Sequence, residues 1–177
     1  MFRILILTAV ELEARALARQ LELPAMSSLP FLAFGRGDLR LAPVGLRAGF
    51  LASRWPSLRA GLGRPLVVSA GVCGALAPDL RAGDLVLPES VLGPDAERLN
   101  VTPTAYARAT ALAPAARRGT MATSREVVAT ADAKSALFAG TGAVAVDMES
   151  SVILAHAAFA GCPARSEERR VGKECRL

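Results

Sequence analysis

Three segments of the chain hold side chains able to do chemistry, and each follows a run that reads as a strand. Thr8-Ala9-Val10-Glu11-Leu12-Glu13 follows the apolar run Phe2 to Thr8, and Gly71-Val72-Cys73-Gly74 follows Pro65 to Ala70. Asp147-Met148-Glu149-Ser150 follows Ala143 to Val146. A carboxylate can move a proton or face a positive charge that builds on a ligand, and glycines let the backbone come close to one. Ligands of open α/β sheets sit at the carboxyl ends of the strands. If all three strands are parallel, their exits share one edge. Glu13 and Glu149 then stand on opposite walls of one crevice, with the Gly71–Gly74 turn between them.

Each piece has a plainer reading when taken alone. A Glu in the first turn of a helix is favoured by the helix dipole, and both Glu13 and Glu149 open helical runs. A Gly-x-x-Gly turn after a strand is commonly a tight exit. His156, the only histidine, falls mid-helix and reads as structural. Cys73 reads as a small buried filler, since no histidine nearby in sequence could activate it. Only the combination is specific.

The elements that must position these residues alternate in type. Glu11 to Leu23 has helical spacing, with Leu12, Ala16, Leu17 and Leu21 on one face, and Pro24 ends it. Phe31 to Phe34 and Leu39 to Val44 read as a strand pair about Gly35 to Asp38. Leu46 to Leu62 is a weaker helix, interrupted by Gly49 and Pro56. Asp84 to Leu87 is a strand, and residues 93–104 are a loop. A helix is expected over Thr104 to Leu112, with extended pieces at Gly119 to Thr123 and Val127 to Ala129. Ala131 to Phe138 is a helix capped by Thr130, and Glu149 to Ala160 is another, stopped by Gly161 and Pro163. Strands that alternate with helices and are continuously apolar predict a three-layer αβα sandwich with a mostly parallel central sheet.

Composition narrows the function classes. The chain has 177 residues, enough for one domain with its own core. Aromatics make up 5%, so Ala, Leu and Val must build that core. Of the net charge of +5, residues 165–177 supply +2, and no basic stripe with interleaved aromatics remains to hold a nucleic acid. Cys73, Cys162 and Cys175 lack metal-type spacing, which predicts reduced thiols in a cytoplasmic protein. No apolar run is long enough to cross a membrane, and no metal or organic cofactor is implied.

The end of the chain reads differently. Residues 166–177 carry seven charges in twelve positions, with neither periodicity nor a strand pattern. Arg165 to Arg176 resembles translated sequencing-adapter DNA, so the expected division is a domain at 1–164 and a foreign tail at 165–177, the alternative being a solvated native tail.

Taken together, the segments resemble the nucleoside phosphorylase/nucleosidase superfamily. Val68 to Val86 is similar to its strand, Gly-rich turn and Gly-Asp-hydrophobic strand. Ala145-Val146-Asp147-Met148-Glu149-Ser150 is similar to its second signature, and Ile6 to Glu13 to the nucleosidase opening. All three stand in the family's order, over residues 2–164.

The resemblance implies cleavage of a nucleoside's N-glycosidic bond, with positive charge building on the ribose. By similarity Glu149 bonds the ribose hydroxyls, Met148 packs on the sugar, and Asp147 and the Gly71, Val72, Cys73, Gly74 turn line the substrate. Glu13 matches the residue that activates water in hydrolytic members. A phosphorylase must instead bind phosphate, which calls for Arg and hydroxyl donors. The acidic opening and Ser69 favour water, whereas Arg47 could still reach an anion. Val72 stands where most members have a hydroxyl. Methylthioadenosine/S-adenosylhomocysteine nucleosidases and hopanoid-linked phosphorylases are both similar, and a homodimer is implied by analogy. The family's general-acid Asp, on a strand after the last helix, has no counterpart, since no Asp follows Asp147. The expectation is a fold missing its last strand and helix, with apolar surface bare, the rate lowered by ~10²–10⁴ at least and this chain inactive although its full-length parent is an enzyme; the alternative is a non-catalytic α/β binding or structural protein.

Overall fold

The computed structural model describes residues 3–171. Phe2 of the first expected strand, and residues 172–177 of the expected tail with Cys175, lie outside them. The chain opens β1 (Ile4–Thr8), α1 (Glu11–Gln20), β2 (Phe34–Arg36), β3 (Leu39–Pro43), a 3-10 turn (Leu46–Ala48) and α2 (Leu51–Arg59). It continues β4 (Leu66–Ala75), β5 (Leu85–Leu92), β6 (Arg98–Asn100), α3 (Pro103–Leu112) and β7 (Arg117–Thr123). It ends α4 (Ala131–Thr141), β8 (Ala145–Asp147), α5 (Ser150–Phe159) and β9 (Ala164–Arg170). Among these residues no helix is long and apolar enough to cross a membrane.

The fold is α/β, but its sheet is mixed and curls. The strand order is β2-β3-β1-β4-β8-β7-β5-β6, and β9 pairs with both β4 and β5. Strands β4, β8, β7, β5 and β9 therefore close into a ring, so the sheet of the expected three-layer sandwich forms a barrel-like core. The ring depends on the length of β4. Its first half runs parallel to β1, from Leu66 to Ser69, and its last residues, Gly74 and Ala75, pair antiparallel with β8. The expectation of parallel strands sharing one exit edge fails at β8.

Two further expectations are corrected. Gly71–Gly74 is no turn but the continuation of β4, where Val67 to Cys73 pairs with β9. Gly74 is where β4 meets β8 closely: a Cβ there would come 3.3 Å from Val146 Cγ1. The missing last strand is present over residues 164–170, pairing parallel with β4 and antiparallel with β5. Ladders are made by backbone groups, which every residue but proline carries, so Arg165 to Arg170 can fill the gap with no apolar alternation. Ala164, Ser166 and Glu168 turn inward and are buried.

The core is aliphatic, as the composition requires. Leu5, Leu7 and Val67 of the sheet pack with Leu51, Trp55 and Leu58, which lie on one face of α2. Pro56 sits on the exposed side of that helix, so the hydrogen bond it removes faces water and α2 continues through it. Residues 127–129 form no strand, and the expected loop at 93–104 contains β6 and the start of α3.

Candidate functional site

Glu13 is the third residue of α1, whose N-cap, Val10, has no side-chain acceptor to offer. The Glu13 carboxylate does that work. Its Oε2 accepts from the amides of Ala9 at 3.0 Å and Val10 at 3.1 Å, satisfying donors left free at the helix start. Its Oε1 accepts from the amide of Val72 on β4, at 3.2 Å. Gly71 permits this approach, since a Cβ there would stand 2.9 Å from Glu13 Oε1.

Glu149 is the N-cap of α5 and, like Val10, gives that helix no side-chain cap. Its Oε1 instead accepts from the backbone amide of Arg47, at 2.8 Å. That amide is aimed by the left-handed backbone of Arg47, φ 56°, in the 3-10 turn. Asp147 is buried, and both its oxygens are occupied. Oδ1 accepts from Thr123 Oγ1 and Oδ2 from the Ser150 amide, each at 2.8 Å. Behind it, three buried hydroxyls join β4, α5 and β9: Ser150 Oγ lies 3.0 Å from both Ser69 Oγ and Ser166 Oγ.

The fourth carboxyl was not found from sequence. Glu168 of β9 is 3% exposed, and its Oε2 lies 3.1 Å from where a Gly71 Cβ would stand, so it and Glu13 converge on Gly71. No apolar pattern marks residues 164–170. The only sequence signal is the alternation of Ala164, Ser166 and Glu168, which carries no hydropathy contrast.

Burial dominates the electrostatics. It pushes Glu13 above the usual carboxylate range, against the amides of Val10, Ala9 and Val72, and the Asp147 charge adds to the rise. Burial lifts Glu149 to about 7, opposed by the Arg47 amide and helped by Asp147 and Glu13. Asp147 is raised by burial against bonds from Ser150 and Thr123. Glu168 goes well up, through burial and then Asp147, Glu13 and Glu149. The charges acting most on these groups are thus one another. An array of buried carboxyls whose pKa values are all raised, each by burial and by the others' charge, suits general acid–base work.

The other expected residues divide. Met148 lines a cleft of about 460 Å³ with Arg47, Ser151, Val152 and His156. Val72 is exposed at the bend of β4, but Cys73 is buried in the core. Burial and the neighbouring Glu168 push the Cys73 thiol up, so it is no thiolate. His156 packs edge-on against Trp55, ring centroids 4.6 Å apart, and burial lowers its pKa. Among the described residues no three His, Cys, Asp or Glu side chains are grouped to hold a metal ion.

Comparisons with known proteins bear on the fold. The fold matches a Helicobacter pylori 5′-methylthioadenosine/S-adenosylhomocysteine nucleosidase mutant solved with 5′-methylthioadenosine in its active site. The TM-score is 0.84 at 17% identity, over 98% of this chain and 86% of that one. An S-adenosylhomocysteine nucleosidase from Streptococcus pyogenes, in complex with 5-methylthiotubericidin, matches with a TM-score of 0.79 at 21% identity, over 96% and 83%. A futalosine hydrolase mutant of Helicobacter pylori matches at 0.84 and 17%, over 98% and 86%. At these identities the likeness establishes the fold. No curated protein sequence matches significantly. The model of the Phosphorylase superfamily matches residues 58–166, from the end of α2 into β9 and across β4, β8 and Glu149, and the chain belongs to that superfamily.

Proposed function

We propose that the protein hydrolyses the N-glycosidic bond of a purine nucleoside. The observation that carries this reading is the convergence of Glu13 and Glu168 on Gly71, in a carboxyl cluster completed by Asp147 and Glu149. As the glycosidic bond breaks, positive charge grows on the ribose, and a cluster of carboxyls lowers the energy of that state more than of the neutral nucleoside. Glu149, held at one oxygen by the Arg47 amide, keeps its other oxygen for the ribose hydroxyls, with Met148 against the sugar. Glu13 is fixed by three amides, and its raised pKa makes it a stronger base for an attacking water. The departing base needs a proton, and Glu168, whose pKa burial raises well above the usual carboxylate range, supplies it in this reading.

The nucleosidases matched in fold were solved with 5′-methylthioadenosine or 5-methylthiotubericidin. The first substrate to try is therefore 5′-methylthioadenosine, in phosphate-free buffer, with release of adenine followed by chromatography. Adenine release supports the reading. Release only when phosphate is added transfers it to a phosphorylase, a second reading favoured by the Arg47 side chain on the wall of the cleft. No turnover with or without phosphate, across purine nucleosides, ends both.

A further inference from the structure

Helix α5 carries at its N-cap a carboxylate that does not cap it, where a side chain would ordinarily be consumed in capping. The first amides of a helix have no partner within it, and the N-cap side chain usually accepts from one of them. At α5 the Glu149 side chain makes no such bond and crosses to the Arg47 amide. The work is done by neighbouring strands instead. Strands β7 and β8 are parallel, with Thr123 opposite Asp147, so the last residues of both strands meet the helix together. Asp147 Oδ2 takes the Ser150 amide at 2.8 Å, and Thr123 Oγ1 takes the Ser151 amide at 3.0 Å. The Thr123 hydroxyl then donates its proton to Asp147 Oδ1, at 2.8 Å, which locks the two caps to each other.

We propose that Thr123 and Asp147 are positioning residues: they cap α5 from outside, and so leave the Glu149 carboxylate free to meet a ligand. Asp147 thereby acts through Glu149 and the helix and has no need to touch substrate. A hydroxyl suits position 123 because the group must accept from an amide and donate to a carboxylate at once, which Ser or Thr can do and Val cannot. Without it, the Ser151 amide is left buried and unpaired, and the Glu149 side chain is drawn back to the helix start.

This inference rests on the reading of Glu149 as a ligand-binding group, so its test must fail separately from that reading. The variants are Thr123→Val, which keeps the shape, and Thr123→Ser, which keeps the hydroxyl. Two readouts are taken on the full chain: kcat and KM for 5′-methylthioadenosine, and the titration midpoint of the Glu149 carboxyl by 13C NMR. Thr123→Val is expected to lose about tenfold or more in kcat/KM and to shift the Glu149 midpoint, with Thr123→Ser within about threefold of the parent and its midpoint unmoved. If Thr123→Val does not fold, Asp147→Asn leaves a single acceptor oxygen for the Thr123 hydroxyl and the Ser150 amide, which unlocks the two caps, and is expected to give the same two effects. Unchanged turnover with an unchanged Glu149 midpoint in Thr123→Val overturns the proposal. If the parent shows no turnover, the nucleosidase reading fails. The midpoint comparison then still decides the capping role.

Discussion

Helices α1 and α5 each carry a glutamate at or near their start, but they hold it differently. Glu13 is cap and site residue at once. Its two oxygens take three amides, two of them from the start of its own helix. Glu149 takes the Arg47 amide of a distant turn and no amide of its own helix, while Asp147 and Thr123 cap that helix. One glutamate is bound into the fold, and the other is set free by its neighbours. A base must be fixed against the atom it deprotonates, whereas a group that binds hydroxyls must keep lone pairs open.

The contrast separates stability from rate. Glu13→Ala removes the proposed base and the cap together. It is expected to cost ~10²–10⁴ in kcat and to lower stability by about 1–2 kcal/mol, because Ala9, Val10 and Val72 lose their acceptor. Glu149→Gln should cost about 10²-fold in kcat/KM while leaving the denaturation midpoint unchanged or higher, since α5 keeps both its caps. The Glu149 pKa of about 7 predicts an ascending limb of kcat/KM near pH 7, as the carboxyl ionises to accept from the ribose, and Glu149→Gln should abolish it. Equal stability losses in the two variants, seen by urea denaturation, would erase the comparison.

The sequence shows one side of this contrast better than the other. Glu13 and Glu149 were legible as acids just past strands, and Thr130 as a cap whose Oγ1 does accept from the Ala133 amide. β1 was legible as a continuous apolar run and α1 as a helix stopped by Pro24, but the face expected to be apolar in α1 is not the buried one: Leu12 and Leu21 are exposed, and Ala14 and Ala18 are buried. The course of β4 was not legible, because glycines signal a turn locally and a tight strand crossing only when the partner strand is known. Thr123 and Ser166 were invisible for a related reason: each acts through a residue far away in sequence. Asp147 is 24 positions from Thr123 and Ser150 is 16 from Ser166. The strand β9 is made by backbone pairing, on which a run of Arg and Glu leaves no mark.

Gly71 tests how closely the two arms converge. A methyl at that position would stand 2.9 Å from Glu13 Oε1 and 3.1 Å from Glu168 Oε2, so one carboxyl must move. Gly71→Ala is therefore expected to destabilise by about 1–3 kcal/mol, with the shift visible as broken protection of the Val72 amide in hydrogen exchange. In Glu13→Ala/Gly71→Ala the methyl no longer meets the Glu13 carboxylate, and the second substitution should cost less than it does alone. Strict additivity would place Glu13 away from Gly71.

The smallest expected effect is the dependence of stability on pH, and it too distinguishes the arms. Glu13, Asp147, Glu149 and Glu168 all hold their protons more tightly folded than unfolded. Between an unfolded carboxyl near 4.5 and the Glu149 value of about 7, the native state therefore binds more protons than the unfolded one. The slope of unfolding free energy against pH is then negative, so stability is greatest at the acid end of that window and falls as pH rises through it. His156, lowered by burial, opposes this, but it is one group against four. Glu149→Gln should flatten the part of the slope nearest pH 7. Glu168→Met, which replaces a buried carboxyl by an apolar chain of similar length, should flatten the slope across the window and raise stability by about 1–3 kcal/mol. A stability that climbs from pH 5 to pH 7 in the parent would mean that the carboxyls enter the fold ionised, and that the cations holding them lie elsewhere than this site.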